Sequence, residues 1–442
     1  MRRLWWRWFR SVSSFQYRAG RRLTRGGLLA LGVLGAAGVV GLDTNRTVGY
    51  QVFTLAGALL AISVLASLRF RASFTARRIL PRYASAGEPV TYRVAIGNAT
   101  RRRQAGLVLL DDLADPRPSF DEWVGAREPG EERRNWFDRA VGYPRWMWLV
   151  ARNQGAAIPR RPVPPIPAGG EAEVEIEIRP TRRGRVAFRS VTIARPDPFG
   201  LTQALVTVPA PQALLVLPRR YPLPDIALPG TRRYQPGGVA LATSVGDSEE
   251  FAALRDYRPG DPLRRIHWKS WARVGQPVVT EYQDEFFVRH ALVLDTFCAA
   301  DGGEAFEEAV SLAASIAVAI DTQESLLDLM FVGPEAYCFT AGRGLGHLDR
   351  MLEVLAGVRP CRDKPFRALH HAVLERHDAL SGCVAVLLGW DAPRRELVRH
   401  LEALGTPTRV FVVVADEAAA ADVPAGVHRL VAGRVREGLA RL

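Results

Sequence analysis

Lysine is almost missing from this chain. Of 59 basic residues only Lys269 and Lys364 are lysines, and neither follows the glycines of a G-x-x-x-x-G-K-[ST] loop, which excludes a P-loop nucleotide site. Cysteine is scarce too. Cys298, Cys338, Cys361 and Cys383 all lie in the last third, with no C-x-x-C pair and no metal-ligand spacing, so reduced, buried thiols are expected. No H-E-x-x-H, G-x-S-x-G or strand-turn-helix G-x-G-x-x-G occurs. Nothing assembles a nucleophile, a base and its orienting group, so the chain is not read as an enzyme.

Negative charge is missing from one end only. Met1 to Arg78 holds thirteen arginines and one acid, Asp43, a balance of +12, whereas the remaining 46 basic and 45 acidic residues leave +1. The overall +13 is therefore not a binding face spread over folded domains, and no nucleic-acid partner is expected. The same segment carries two uncharged apolar runs, 26–42 and 48–68, each near the roughly 17–25 residues that span a bilayer. Arg21, Arg22 and Arg25 precede the first; Arg69, Arg71, Arg77 and Arg78 follow the second. The excess of arginine on both flanks predicts a two-helix hairpin in a cell inner membrane, with the bulk of the chain cytoplasmic. Ahead of it, residues 1–15 interleave arginine with Trp5, Trp6, Trp8 and Phe9, which suits either a helix at a headgroup surface or a basic tail.

At 442 residues the chain has room for about two to four domains. The pattern divides it into a basic aromatic segment (1–25), the transmembrane hairpin (26–68), a β-rich, sandwich-like module (79–218) with an insertion at 115–167, a linker and motif segment (219–289), and an α/β domain (290–442). In the β-rich module Glu171–Ile178 alternates glutamate with apolar residues, as a strand with one wet face does. Strands are also expected at 90–96, 107–110, 185–193, 205–208 and 213–217. In the last third, apolar strands at 290–294, 326–332, 383–388 and 409–414 alternate with helices at 304–320, 345–355, 366–375 and 394–404, which predicts a mostly parallel sheet covered on both faces. Ligands of such a sheet bind at the carboxyl ends of its strands, where Asp295 and Asp391 stand.

The segment 254–285 gathers forked donors and aromatic rings: Arg255, Tyr257, Arg258, Arg264, Arg265, Trp268, Lys269 and Arg273. Pro259-Gly260 makes a turn, Asp261 is placed to cap a helix with Pro262 at its first position, and Leu263 and Ile266 supply an inner face. Such a set serves equally as a docking surface for carboxylates or phosphates and as an internal ion-pair network. The segment resembles the signature of the bacterial family called domain of unknown function fifty-eight, L-R-x-Y-x-x-G-D-x-x-R-x-I-x-W-x-x-x-A-R. It matches at Leu254, Arg255, Tyr257, Gly260, Asp261, Arg264, Ile266, Trp268, Ala272 and Arg273. An R-R-G at Arg182–Gly184 and a D-P-F-G-L at Asp197–Leu201 extend the resemblance. It implies a C-terminal domain similar to the von Willebrand factor A fold, a MoxR-type AAA ATPase as partner, often a transglutaminase-like membrane protein beside it, and no established enzymatic activity.

The von Willebrand A fold commonly holds a divalent cation with D-x-S-x-S, because a hard cation needs oxygen ligands. Here the stretch is Asp295-Thr296-Phe297-Cys298-Ala299, and Phe297 and Ala299 offer no side-chain oxygen. No cofactor is expected; the alternative is magnesium or calcium on a degenerate site of Asp295, Thr296 and Asp391, with Thr340 a further oxygen. His370, His371, Glu375 and His377 read as a solvated helix, and Asp301, Glu304 and Glu307 as helix-capping acids. The expected function is that of a membrane-anchored, cytoplasm-facing adaptor or scaffold that engages the ATPase in assembly or maturation of envelope or other complexes. The alternative is a metal-dependent hydrolase using the acids near Asp295.

Overall fold

The computed structural model describes residues 2–40, 47–224, 251–259, 263, 266–282, 288–298, 303–320, 325–342, 345–424 and 426–441. It divides into two units: Met1–Pro222 with Cys298–Ser315 and Asp349–Arg362, and Leu223–Phe297 with Ile316–Leu348 and Asp363–Leu442.

The first unit opens with three helices, α1 (Arg2–Arg22), α2 (Arg25–Val40) and α3 (Thr47–Leu68). Among the described residues Val48–Leu68 is the one stretch long and apolar enough to cross a membrane, and almost none of it is buried in the protein. Exposed apolar side chains over such a length are compatible with a bilayer core. The described part of α2 has 16 residues, about 24 Å of helix, which falls short of a bilayer core of about 30 Å. The loop expected at 43–47 lies largely outside the described residues.

The β-rich part has nine strands: β1 (Phe74–Ile79), β2 (Tyr83–Ser85), β3 (Val90–Asn98), β4 (Leu107–Leu113), β5 (Ala156–Ala157), β6 (Arg161–Val163), β7 (Glu171–Pro180), β8 (Gly184–Pro196) and β9 (Gln203–Leu217). They form two sheets, β1-β3-β7-β5 and β2-β9-β8-β4-β6. The inward residues of both sheets, among them Val94, Ile96, Leu109, Ile176, Val191, Ile193 and Val216, make one core. The glutamates of β7 face solvent while Val174, Ile176 and Ile178 enter that core.

Two boundaries differ from expectation. The runs expected at 205–208 and 213–217 are a single strand, β9, which passes through Pro209 and Pro211 opposite a bulge between Phe188 and Ser190. Over those prolines β9 pairs only with β8, and an edge strand tolerates residues without an N–H. Strand β4 runs three residues past 110, carrying Asp111 and Asp112 into the interior. Asp111 meets Arg78, which is 3% exposed. Arg78 is therefore a core residue, not one of the free charges flanking the hairpin.

The insertion contributes α4 (Phe120–Gly125), α5 (Trp136–Val141) and α6 (Tyr143–Gln154), as well as β5 and β6, which join the two sheets. Trp123 and Trp146 cluster there with Phe9 of α1.

The D-P-F-G-L motif is the tight turn between β8 and β9, and it grips the helical pair. Asp197 accepts from Ser63 Oγ at 2.7 Å and from the Phe199 N–H at 2.7 Å, and also from the Thr202 N–H. The Thr24 N–H donates to the Leu201 carbonyl at 3.0 Å. A Cβ on Gly27 would overlap that same carbonyl, so only glycine lets α2 approach the turn. Burial alone would raise the Asp197 carboxyl, but the donors from Ser63, Thr202 and Phe199 outweigh it and hold the group below the usual aspartate range. A lowered folded value means stability that is present above the ordinary pKa of about 3.9 and lost as pH falls through the lowered one. Asp197→Asn should thus cost about 1–3 kcal/mol at pH 7, and the gap from wild type should narrow as pH falls below about 3.9. Urea midpoints across that range check this; a gap independent of pH overturns it.

The second unit contributes β10 (Phe251–Asp256), α7 (Trp268–Val274), β11 (Val278–Tyr282) and β12 (Val288–Leu294). After β12 the chain forms α8 (Gly303–Ala319), β13 (Ser325–Val332), β14 (Ala336–Ala341), α9 (Leu345–Gly357) and α10 (Arg367–Leu374). It ends with β15 (Gly382–Leu387), α11 (Ala392–Ala403), β16 (Thr408–Val414), α12 (Glu417–Ala420), β17 (His428–Val431) and α13 (Val435–Leu439). The sheet order is β14-β13-β12-β15-β16-β17, parallel except for β14. Strand β14 escapes sequence reading because an edge strand on a hairpin needs no continuous apolar run; most of its residues are exposed or half-buried.

The R-R-G motif has a local task within the first unit. Arg183 donates to the Leu355 and Val358 carbonyls at 3.2 and 2.7 Å, at the last turn of α9, and pairs with Glu307. A cation at a helix C-terminus offsets the partial negative charge of the free carbonyls.

Candidate functional site

The strand order reverses between β12 and β15, since β13 follows β12 on one side and β15 lies on the other. In an open α/β sheet this is the ligand crevice. Asp295 ends β12 and is 0% exposed. Its Oδ1 accepts from the Phe297 N–H and its Oδ2 from the Leu388 N–H, both at 2.9 Å. Asp391 begins α11, capping it by accepting from the Arg394 N–H.

Arg394 fills the space between the two acids. Its Nε donates to Asp295 Oδ2 at 2.6 Å, Nη1 to Asp391 Oδ2 at 2.5 Å and Nη2 to the Phe297 carbonyl at 2.9 Å. The guanidinium plane rests 5.0 Å from the Phe366 ring, which packs edge-on against Phe297. Burial would lower the Arg394 pKa, but the Asp295 and Asp391 carboxylates outweigh it and raise the group above the ordinary arginine value. It is a permanent cation seated between two carboxylates.

A divalent cation does not fit this arrangement. Both Asp295 oxygens already accept from N–H donors, and the guanidinium occupies the approach from Asp391. Thr296 turns its hydroxyl away and donates to the Val332 carbonyl at 2.5 Å. Thr340 bonds Asp328 at 2.6 Å, four residues and about 13 Å along β13 from Val332. Asp295 and Asp391 meet at an internal arginine, while Thr296 turns away from them. Sequence reading missed Arg394, although it left a signal: a cation in the first turn of a helix opposes the helix dipole unless an acid holds it there.

The signature residues lie elsewhere. Strands β10 and β11 pair with Arg255 opposite Val279, and the Tyr257 N–H donates to the Pro277 carbonyl at 2.9 Å. Ile266 is buried and bridges Val279. His267 caps α7 by accepting from the Ser270 N–H at 3.2 Å. Trp268 is 64% exposed and stacks on Trp271 at 5.2 Å, while Lys269 and Arg273 are exposed on the same helix. Gly260, Asp261, Pro262, Arg264 and Arg265, with the turn and cap expected there, lie outside the described residues, as do Ala299 and Asp301. The histidine cluster does not assemble into one site. His370 pairs with His400 at 2.9 Å, His371 with Glu375 at 3.1 Å, and His377 with Asp378 at 3.0 Å. A groove of about 1000 Å³ runs between α11 and the β16–β17 edge, lined by Trp390, Arg395, Arg399, Arg409 and His428. It is separate from the Asp295 crevice and holds no arrangement of catalytic groups.

Residues 253–433 match the family model described as "Protein of unknown function DUF58". The chain is also 28% identical over 184 residues to the uncharacterized protein YeaD of Bacillus subtilis (strain 168), covering 41% of this chain and 44% of that protein. It therefore spans less than half the length of that relative. Among solved structures, it resembles the ASH / PapD-like domain of human CEP192 with 12% identity and a TM-score of 0.18, over 33% of this chain and 84% of that one. The AggA subunit of Escherichia coli aggregative adherence fimbriae type I matches with 7% identity and a TM-score of 0.17, over 33% and 96%. At those scores neither likeness supports a common fold.

Proposed function

We propose that the chain is a membrane-anchored, cytoplasm-facing adaptor that engages a MoxR-type AAA ATPase through its C-terminal half, in assembly or maturation of envelope or other protein complexes. In this reading α2 and α3 together form the hairpin, and the α/β sheet is a von Willebrand factor A-like domain. The sheet order, with β14 alone antiparallel, supports that fold. The observation that carries the proposal is Arg394. A switch-point crevice filled by the chain's own guanidinium offers a partner a surface and a small substrate no pocket. A transglutaminase-like membrane protein is a second proposed partner.

The exposed Trp268 supplies the kind of anchor that dominates interfaces. Trp268→Ala should reduce capture of the ATPase by the detergent-solubilised chain by about thirtyfold, the equivalent of a 2 kcal/mol hot spot. Circular dichroism should stay unchanged. Equal capture by variant and wild type removes α7 from the interface; capture unaffected by deleting residues 247–442 overturns the adaptor reading.

A further inference from the structure

Helix α1 carries two apolar faces, and the protein uses one of them. Phe9 is buried and Trp6 half-buried in the cluster with Trp123 and Trp146. Trp6 Nε1 donates to the Pro118 carbonyl at 3.2 Å and Trp146 Nε1 to Ser13 Oγ at 3.3 Å. These contacts fix the rotation of the helix. At 3.6 residues per turn, Leu4, Trp8 and Phe15 then fall within about 40° of one another, roughly 120° round from Phe9. They are 69%, 55% and 69% exposed. Beside this second stripe stand Arg7 and Arg18, both exposed, while Arg3 and Arg10 turn instead over the Phe120 and Trp6 rings of the packed side. A helix packed on a soluble protein needs one apolar stripe, whereas a second, edged by arginines, matches the boundary between headgroups and acyl chains.

The place of α1 in the chain supports the same occupant. It ends at Arg22, and α2 begins at Arg25. The turn between β8 and β9 ties the start of α2 to Ser63, which lies five residues, about 7.5 Å, from the end of α3. Phe199 projects from that turn, 51% exposed. The junction of α1 and α2 therefore sits at the end of the apolar helices, where a spanning pair meets the headgroups.

We propose that α1 lies along the surface of an anionic bilayer, seating Leu4, Trp8 and Phe15 below the headgroups and setting Arg7 and Arg18 against lipid phosphates. The proposal rests on the reading of α3 as a membrane span and adds a second lipid contact, one held rigidly against the insertion. The test uses the full chain in nanodiscs of phosphatidylcholine and phosphatidylglycerol, with photoreactive p-benzoylphenylalanine at position 15, and in separate samples at Leu55 of α3 and at Tyr337 of β14. Leu55 and Tyr337 are both exposed, so each reports its own surroundings. Lipid adducts are expected at 15 and 55, about tenfold or more above the yield at 337. The yield at 15 should fall severalfold in nanodiscs of phosphatidylcholine alone. Lipid at 55 with none at 15, or a protein adduct at 15, overturns the proposal and leaves the span standing. Lipid at neither position overturns both. An equal yield at 15 in neutral and anionic discs removes the arginine–phosphate contact. A repeat probe at Leu4 guards against a local defect at position 15.

Discussion

Arg394→Met should cost the C-terminal sheet about 3–5 kcal/mol, because it strips the cationic partner from a carboxylate that is 0% exposed. Two main-chain N–H donors would still reach Asp295, but no charge would balance it. The cost is that of an uncompensated buried charge and exceeds the net worth of the ion pair itself. Losing the guanidinium also removes the contacts with the Phe297 carbonyl and the Phe366 ring. The double variant Asp295→Asn, Arg394→Met removes both charges and should recover much of the loss, since an amide remains compatible with a neutral pocket. Urea unfolding of the full chain, read by hydrogen exchange at β12 and β15, measures both. A single-variant loss below about 1 kcal/mol would show that solvent reaches Asp295, and the closed-crevice reading would fall.

Asp111→Ala should cost the β-rich part a similar amount, about 3–5 kcal/mol, through a different network. Arg78 Nε reaches both Asp111 oxygens, at 2.9 and 2.8 Å, and Nη2 reaches Oδ1 at 2.6 Å. The pair is wholly buried. Arg78 also donates to the carbonyls of Ser190 and Ala210, and its guanidinium lies 4.7 Å from the Phe188 ring. Tyr92 Oη donates to Asp111 Oδ2 at 2.6 Å. Burial, and then the neighbouring Asp111 charge, push the Tyr92 hydroxyl well above the ordinary tyrosine value, so it remains a neutral donor. Removing the carboxylate leaves a cation in an apolar core, whereas Tyr92→Phe removes one hydrogen bond to a charged group and should cost about 1.5–3 kcal/mol. The order Asp111→Ala above Tyr92→Phe is the check; the reverse order, from urea midpoints, would place the charge of Arg78 in solvent.

These two networks mark the limit of sequence reading in this chain. Periodicity located β3, β7, β12, β13, β15 and β16 within a few residues, because each buries one or both faces and the apolar pattern records that burial. Composition identified the apolar helices, because an uncharged run of that length stands out from any amphipathic pattern. Polar signals were misleading where the polar group was buried. The strand expected at 107–110 stopped short of Asp111 and Arg78 read as a flanking charge, since nothing local shows that residues 33 apart will meet. Asp295 and Asp391 were legible as strand-end acids, but their common partner was not.

The sequence alone determined the strands that bury a continuous or alternating apolar face, which helices are apolar and which stretch carries the family signature, because these follow from the identity of near neighbours. Tertiary structure alone decided what fills the crevice and the second face of α1. Whether Arg394 meets solvent, a ligand or Asp295 depends on how two parallel strands and a helix are stacked, a contact between residues 99 apart. Which of the aromatic residues of α1 stay exposed depends on the insertion having claimed Phe9. In both cases the deciding interaction is between elements distant in sequence, and local preference carries no record of it.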